Sequence, residues 1–188
     1  MALKSTICKA LLQVSDMDRG HFGEHALTIA RHPSETDERM MVRLLAFALH
    51  AGHGEDGPQF CKGLSEEDEP DLWQKDLTGT IQLWVDVGQP DERRLRKACG
   101  RAQQVFVYSY SGQGAGIWWR QIEDKLERLR NITVINLPAG VGAALAALAE
   151  RSMRLQCTIQ EGHVWMSNTT ETVQAELQLL RRSLVASA

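Results

Sequence analysis

Between Gln104 and Glu150 the hydrophobic period switches from strand to helix and back, and nothing else in the chain restricts its fold as much. Gln104 to Tyr110 and Ile132 to Leu137 are short runs rich in β-branched and aromatic residues, whereas Gly116 to Leu129 and the alanine-rich Val141 to Glu150 carry helical spacing. Two strands joined through a helix run parallel, because only a crossover of that length returns the chain to the same edge. This section reads as a βαβ unit. On either side of it the pattern is antiparallel. Residues 3–15 and 21–31 are extended stretches rich in Ile, Val, Leu and Thr, with Asp16-Met17-Asp18-Arg19-Gly20 as the turn of a long hairpin. Leu72 to Lys75 and Ile81 to Val87 are joined around Asp76-Leu77-Thr78-Gly79, and Pro90, with Asp91 and Glu92 behind it, opens a helix to about residue 101. Met153 to Gln160, His163 to Ser167 and Val173 to Leu180 read as three further strands.

No repeat or low-complexity linker divides the chain, so its 188 residues are expected to form a single α/β domain over 1–188, with a mixed sheet and flanking helices. The N- and C-terminal antiparallel strands are expected to meet as a second sheet. A composition of 43% hydrophobic residues supplies a core, and a net charge of −3 argues against coating nucleic acid by bulk electrostatics, leaving only a local basic face. Cys8, Cys61, Cys99 and Cys157 lack the paired spacing of zinc or redox motifs, which fits lone thiols and a cytoplasmic protein. No apolar leader and no run of about eighteen apolar residues is present, so neither export nor membrane spanning is expected.

The first helix carries an acid in an unusual place. In Ser34 to His50, Ser34 after Pro33 is expected to be the N-cap, with Asp37 closing a capping box. At about 100° per residue, Met40, Met41, Val42, Leu44, Leu45, Ala48 and Leu49 share one broad arc, with Arg39, Arg43 and His50 opposite. Glu38 falls inside the apolar arc, so it is expected to point toward the sheet and to be ion-paired there, protonated or bound to a metal.

Two more acids accompany strands. Ile81, Leu83, Val85 and Val87 share one face of their strand, and Asp86 closes the other face beside Gln82 and Trp84; it either faces a cleft or caps the next helix. Asp71 precedes Leu72 at the end of the acidic run Glu66-Glu67-Asp68-Glu69-Pro70-Asp71, which by itself reads as a solvated loop. The strand bearing Asp86 is expected to lie inside the sheet, antiparallel to the strand after Asp71, because an edge with so many large apolar side chains invites aggregation. On the helix after Pro90, Arg93, Lys97 and Arg101 repeat every four residues, with Arg94 and Arg96 beside them, a stripe that either meets nucleic-acid phosphates or pairs with nearby acids. Gly112-Gln113-Gly114-Ala115-Gly116 misses dinucleotide-binding spacing, and His50 and His53 straddle a helix end with no third metal ligand nearby.

The segments Ala30-Arg31-His32-Pro33-Ser34-Glu35-Thr36-Asp37-Glu38-Arg39-Met40-Met41, Asp68-Glu69-Pro70-Asp71-Leu72-Trp73 and Leu83-Trp84-Val85-Asp86-Val87-Gly88-Gln89-Pro90-Asp91-Glu92-Arg93-Arg94 resemble the YaeQ family of bacterial proteins, and the likeness extends over nearly the whole chain. The resemblance implies a restriction-endonuclease-like core of the PD-(D/E)xK type, in which a helix acid and two strand acids gather around Mg²⁺. Pro70-Asp71 and Asp86 match that motif. Gly88 stands where it calls for lysine, and Gln89 or Lys97 would have to replace it.

Two functions compete. One is Mg²⁺-dependent phosphodiester hydrolysis, with Asp86, Asp71 and Glu38 holding the metal and Gln89 or Lys97 beside the phosphate. The other is a catalytically inactive module that keeps the fold and binds nucleic acid or a protein, the former through Arg93, Arg94, Lys97 and Arg101.

Overall fold

The computed structural model describes residues 5–52, 57–62 and 68–185. The acids Glu66 and Glu67 and the ring of His53 lie outside them. A hairpin of β1 (Thr6–Asp16) and β2 (His21–Arg31) leads to α1 (Asp37–His50), the short β3 (Gln59–Phe60), β4 (Leu72–Lys75) and β5 (Ile81–Val87). Then follow α2 (Glu92–Arg101), β6 (Ala102–Ser109), α3 (Gln113–Ile122) with a 3-10 turn over Glu123–Leu126, β7 (Ile132–Asn136) and α4 (Val141–Ala147). The chain continues through β8 (Ser152–Gln160), β9 (His163–Ser167), β10 (Thr172–Glu176) and β11 (Gln178–Arg181).

These strands form two sheets, ordered β10-β9-β8-β1-β2 and β11-β7-β6-β5-β4-β3. As the periodicity predicts, β6 and β7 are parallel and β4 pairs antiparallel with β5, which is interior; beyond that expectation, β5 also joins β6 in parallel across α2. The terminal segments do meet in a sheet of their own, although β1 joins β8 in parallel. The segment read as one strand from Val173 to Leu180 is broken at Leu177, so that β10 belongs to one sheet and β11 to the other. Among the described residues no helix is long and apolar enough to cross a membrane.

α1 and α4 lie between the two sheets. Their buried side chains join Cys8, Ala10, Leu12, Val14 and Met153 of one sheet to Leu72, Leu83, Val85 and Tyr108 of the other, while α2 and α3 cover the outer face around Trp84, Val105 and Val134. α1 therefore has almost no solvent side: Arg43 and His50, expected opposite the apolar arc, are 0% and 4% exposed. The helix also starts later than Ser34. Thr36 is the N-cap, its hydroxyl accepting from Arg39 N at 3.1 Å, and Ser34 instead bonds to the His32 ring. All four cysteines are free, and burial pushes the Cys61 and Cys157 thiols up to about 12.

The outer strand β2 carries a titrating contact. The His21 and His25 rings meet Nε2 to Nε2 at 3.4 Å across Gly23, and His25 packs edge-on against Phe47 of α1. Burial, with a smaller contribution from His21, lowers the His25 pKa below its ordinary 6.5. A base whose pKa falls on folding stabilises the fold above its unfolded value and loses that contribution as pH drops through its folded value. The urea midpoint is expected to fall between pH 7 and pH 5, and His25→Gln should flatten that slope; an unchanged slope would assign the acid sensitivity elsewhere.

Candidate functional site

Leu72 lies opposite Val85 in the β4–β5 ladder, which sets Asp71 and Asp86 next to each other on neighbouring strands. Both are 2% exposed. Asp71 extends the ladder, its backbone N–H donating to Val85 O at 2.9 Å and its Oδ2 accepting from Val87 N at 2.7 Å. Arg39 Nη2 donates to both Asp71 oxygens at 2.8 and 2.9 Å, and Arg43 Nε lies 3.5 Å from Oδ1. Glu35 closes this group, accepting from Arg39 at 2.9 Å and from the fully buried Arg43 at 3.0 and 3.1 Å. Two acids and two arginines thus form one buried network at the start of α1.

Asp86 points to the opposite face of the sheet, where α2 brings Arg94 over it. Nε donates to Oδ2 at 2.9 Å and Nη2 to Oδ1 at 2.7 Å, a fork that engages both carboxylate oxygens. The same Nη2 donates to Glu69 O at 2.8 Å and ties down the chain before β4. Burial raises the Asp86 pKa above the ordinary carboxylate value; Arg94 opposes the rise and the adjacent Asp71 adds to it. The N-cap of α2 is Asp91, not Asp86.

Glu38 is half-buried and does not take the place expected of it. Its carboxylate rests against Gly142 of α4, in the space a Cβ there would occupy, and its charge contributes to raising the pKa of Tyr110, after burial. Gln89 donates to Tyr110 O at 3.1 Å, joining the loops after β5 and β6. Gly88, at the motif's lysine position, has φ of +106°, a backbone conformation that strains any side chain. Lys97 stands on the outer side of α2 in an exposed ion pair with Asp68, and Arg101 donates to Asp68 O at 3.0 Å. Arg96 pairs with Glu92 at 2.7 Å, so the pairing alternative describes much of the basic stripe.

The expected Mg²⁺ centre does not fit this arrangement. Asp71 and Asp86 are adjacent, but both oxygens of each accept N–H bonds, and Glu38 turns toward α4. Among the described residues no group of three or more His, Cys, Asp or Glu side chains is placed to hold a metal. Sequence reasoning missed Glu35 as the hub, although Glu35, Arg39 and Arg43 recur at the four-residue spacing of one helix face.

Fold and site together define a two-sheet α/β protein with helices between the sheets and arginine-clamped acids at the end of its parallel strands. The chain belongs to the YaeQ family, whose model, described as YaeQ protein, matches residues 1–177. It is 46% identical over 177 residues to the "Uncharacterized protein YaeQ" of Salmonella typhi and 44% identical to that of Escherichia coli K12, in each case covering 94% of this chain and 96% of the relative. Among solved structures, YaeQ from Xanthomonas axonopodis pv. citri superposes with a TM-score of 0.89 at 47% identity, covering 94% of this chain and 98% of that one. YaeQ from Pseudomonas syringae gives 0.89 at 35% identity, covering 96% and 98%.

Proposed function

We propose that this protein binds nucleic acid without hydrolysing it, on a restriction-endonuclease-like frame whose acids have become structural ion pairs. The observation that carries the reading is charge segregation. Residues 91–130, which form the α2–α3 layer and the strand between, hold nine of the chain's 21 lysines and arginines but only five of its 24 acids. Arg93, Arg96, Lys97, Arg101, Arg120 and Lys125 are all exposed on that layer. Exposed pairs such as Lys97–Asp68 are screened by water and salt and add little, so a polyanion that releases counterions can displace them. The restriction-endonuclease-like part rests on the order of a helix acid and two strand acids and on the antiparallel β4–β5 pair. Hydrolysis would require Arg94 to release Asp86 to a metal.

Fluorescence anisotropy with labelled single- and double-stranded DNA and RNA tests this. Binding is expected to weaken linearly in log salt, and Arg93→Glu with Lys97→Glu should reduce the slope by roughly 0.9 for each phosphate no longer neutralised. No binding at low salt would refute the reading. Mg²⁺-dependent cleavage that disappears in a folded Asp86→Asn variant would replace it with the hydrolytic one.

A further inference from the structure

At the C-terminal end of α1, away from the acid network, the two sheets flank a half-open cavity of about 650 Å³, the size of a small-molecule site. Its walls are aliphatic: Leu83 and Ile135 from one sheet, Ile159 and Val164 from the other, and Leu49 from α1. Tyr108 and His50 also line it, with the Tyr108 hydroxyl 2.9 Å from His50 Nε2 and the Phe106 ring edge-on to the imidazole. The rim contributed by β4, β5 and β6 is neutral, made of Gln74, Gln82, Gln103 and Gln104.

On the opposite rim are the tips of two hairpins. Asp18 accepts from the backbone N–H groups of Glu161 and Gly162 at 2.7 and 3.3 Å, which fastens the β1–β2 turn to the β8–β9 turn. Asp16 accepts from Arg19 N at 2.9 Å and from Arg19 Nε at 2.6 Å. Both lining acids are therefore engaged. The Arg19 side chain is 30% exposed, and its two Nη groups have no hydrogen bond to the described residues. Arg19 itself lines the cavity, beside Asp16 and Asp18. The cavity thus combines aliphatic walls with one guanidinium edge able to grip a carboxylate through two parallel N–H bonds.

We propose that this cavity binds a medium-chain aliphatic carboxylate, with the carboxylate on the Nη groups of Arg19 and the chain between Leu83, Ile135, Ile159 and Val164. This site is separate from the basic α2–α3 layer, so either reading can fail without the other.

The test is calorimetric titration of the full chain with dodecanoate, its shorter homologues and dodecanol, with amide chemical shifts to locate the site. Dodecanoate is expected to bind and to shift the amides of Arg19, Ile135 and Gly162, and each methylene removed should weaken it roughly threefold to fourfold. Arg19→Gln should weaken dodecanoate at least tenfold and leave dodecanol unchanged. Ile135→Trp, which fills the cavity and leaves the Asp16–Arg19 pair intact, should abolish binding and decides the matter if Arg19→Gln does not fold. The proposal is overturned if dodecanoate fails to bind, if dodecanol binds as tightly as dodecanoate, or if Ile135→Trp folds and binds like the parent.

Discussion

Glu35→Ala is expected to destabilise the fold by about 3–5 kcal/mol, because it leaves Arg43 fully buried beside Arg39 with only Asp71 to balance two guanidinium charges. Melting temperature should fall by roughly 10 °C or more, as measured by calorimetry. The loss arises from the charge left behind rather than from strength in the pair. Glu35→Gln with Arg43→Met removes both partners, so it should be less damaging than the two single changes added together, by about 0.5–3 kcal/mol. Additive effects would show that Glu35 and Arg43 do not act as one unit.

Asp86→Asn is expected to cost about 2–3 kcal/mol, since an amide cannot accept both charged N–H bonds from Arg94, whose side chain is 28% exposed and regains some water. Arg94→Ala should behave differently with pH. It leaves Asp86 buried beside Asp71, and burial already raises the Asp86 pKa above 3.8. An acid whose pKa rises on folding is best tolerated while protonated: its contribution is intact below the unfolded value and is lost as pH climbs through the folded one. Arg94→Ala should therefore lose more stability relative to the parent at pH 8 than at pH 5, and adding Asp86→Asn should remove that difference. Millimolar Mg²⁺ should leave the melting temperature of the parent unchanged. A metal-induced rise absent from Asp86→Asn would contradict the arginine-clamp reading.

The strands, crossover helices and their order are legible in the sequence because period and turn chemistry are local signals. Ile81 to Val87 alternates as an interior strand does, and Asp91 behind Pro90 caps α2. The faces of α1 are not legible in the same way. A helical wheel assumes one wet side, and a helix between two sheets has none, so the wheel puts Arg43 in solvent where the fold buries it fully. The expectation that Glu38 faces the sheet fails for the same reason. The acid that enters the core is Glu35, which precedes the N-cap Thr36 and shows in the sequence only as the four-residue spacing of Glu35, Arg39 and Arg43. The split at Leu177 is equally invisible, because a strand changing sheets keeps its alternation. Of the candidate site, the adjacency of Asp71 and Asp86 can be read from β4–β5 pairing; their arginine partners depend on which way α1 and α2 lie.

The parallel pairing of β1 with β8 bears on how the chain is assembled as it is made. Lys9 finds its neighbour at Ser152 and Asp16 at Ile159, so β1 waits for β8, made much later, before its sheet can close. Until then α1, which the finished fold buries on nearly every side, has neither of the layers that cover it complete. Long-range parallel pairing is slow to form and leaves hydrophobic surface open in the meantime. A nascent chain that pauses before Ser152 would therefore expose α1 to chaperones or to aggregation, and the order of synthesis runs opposite to the order in which the core can be sealed.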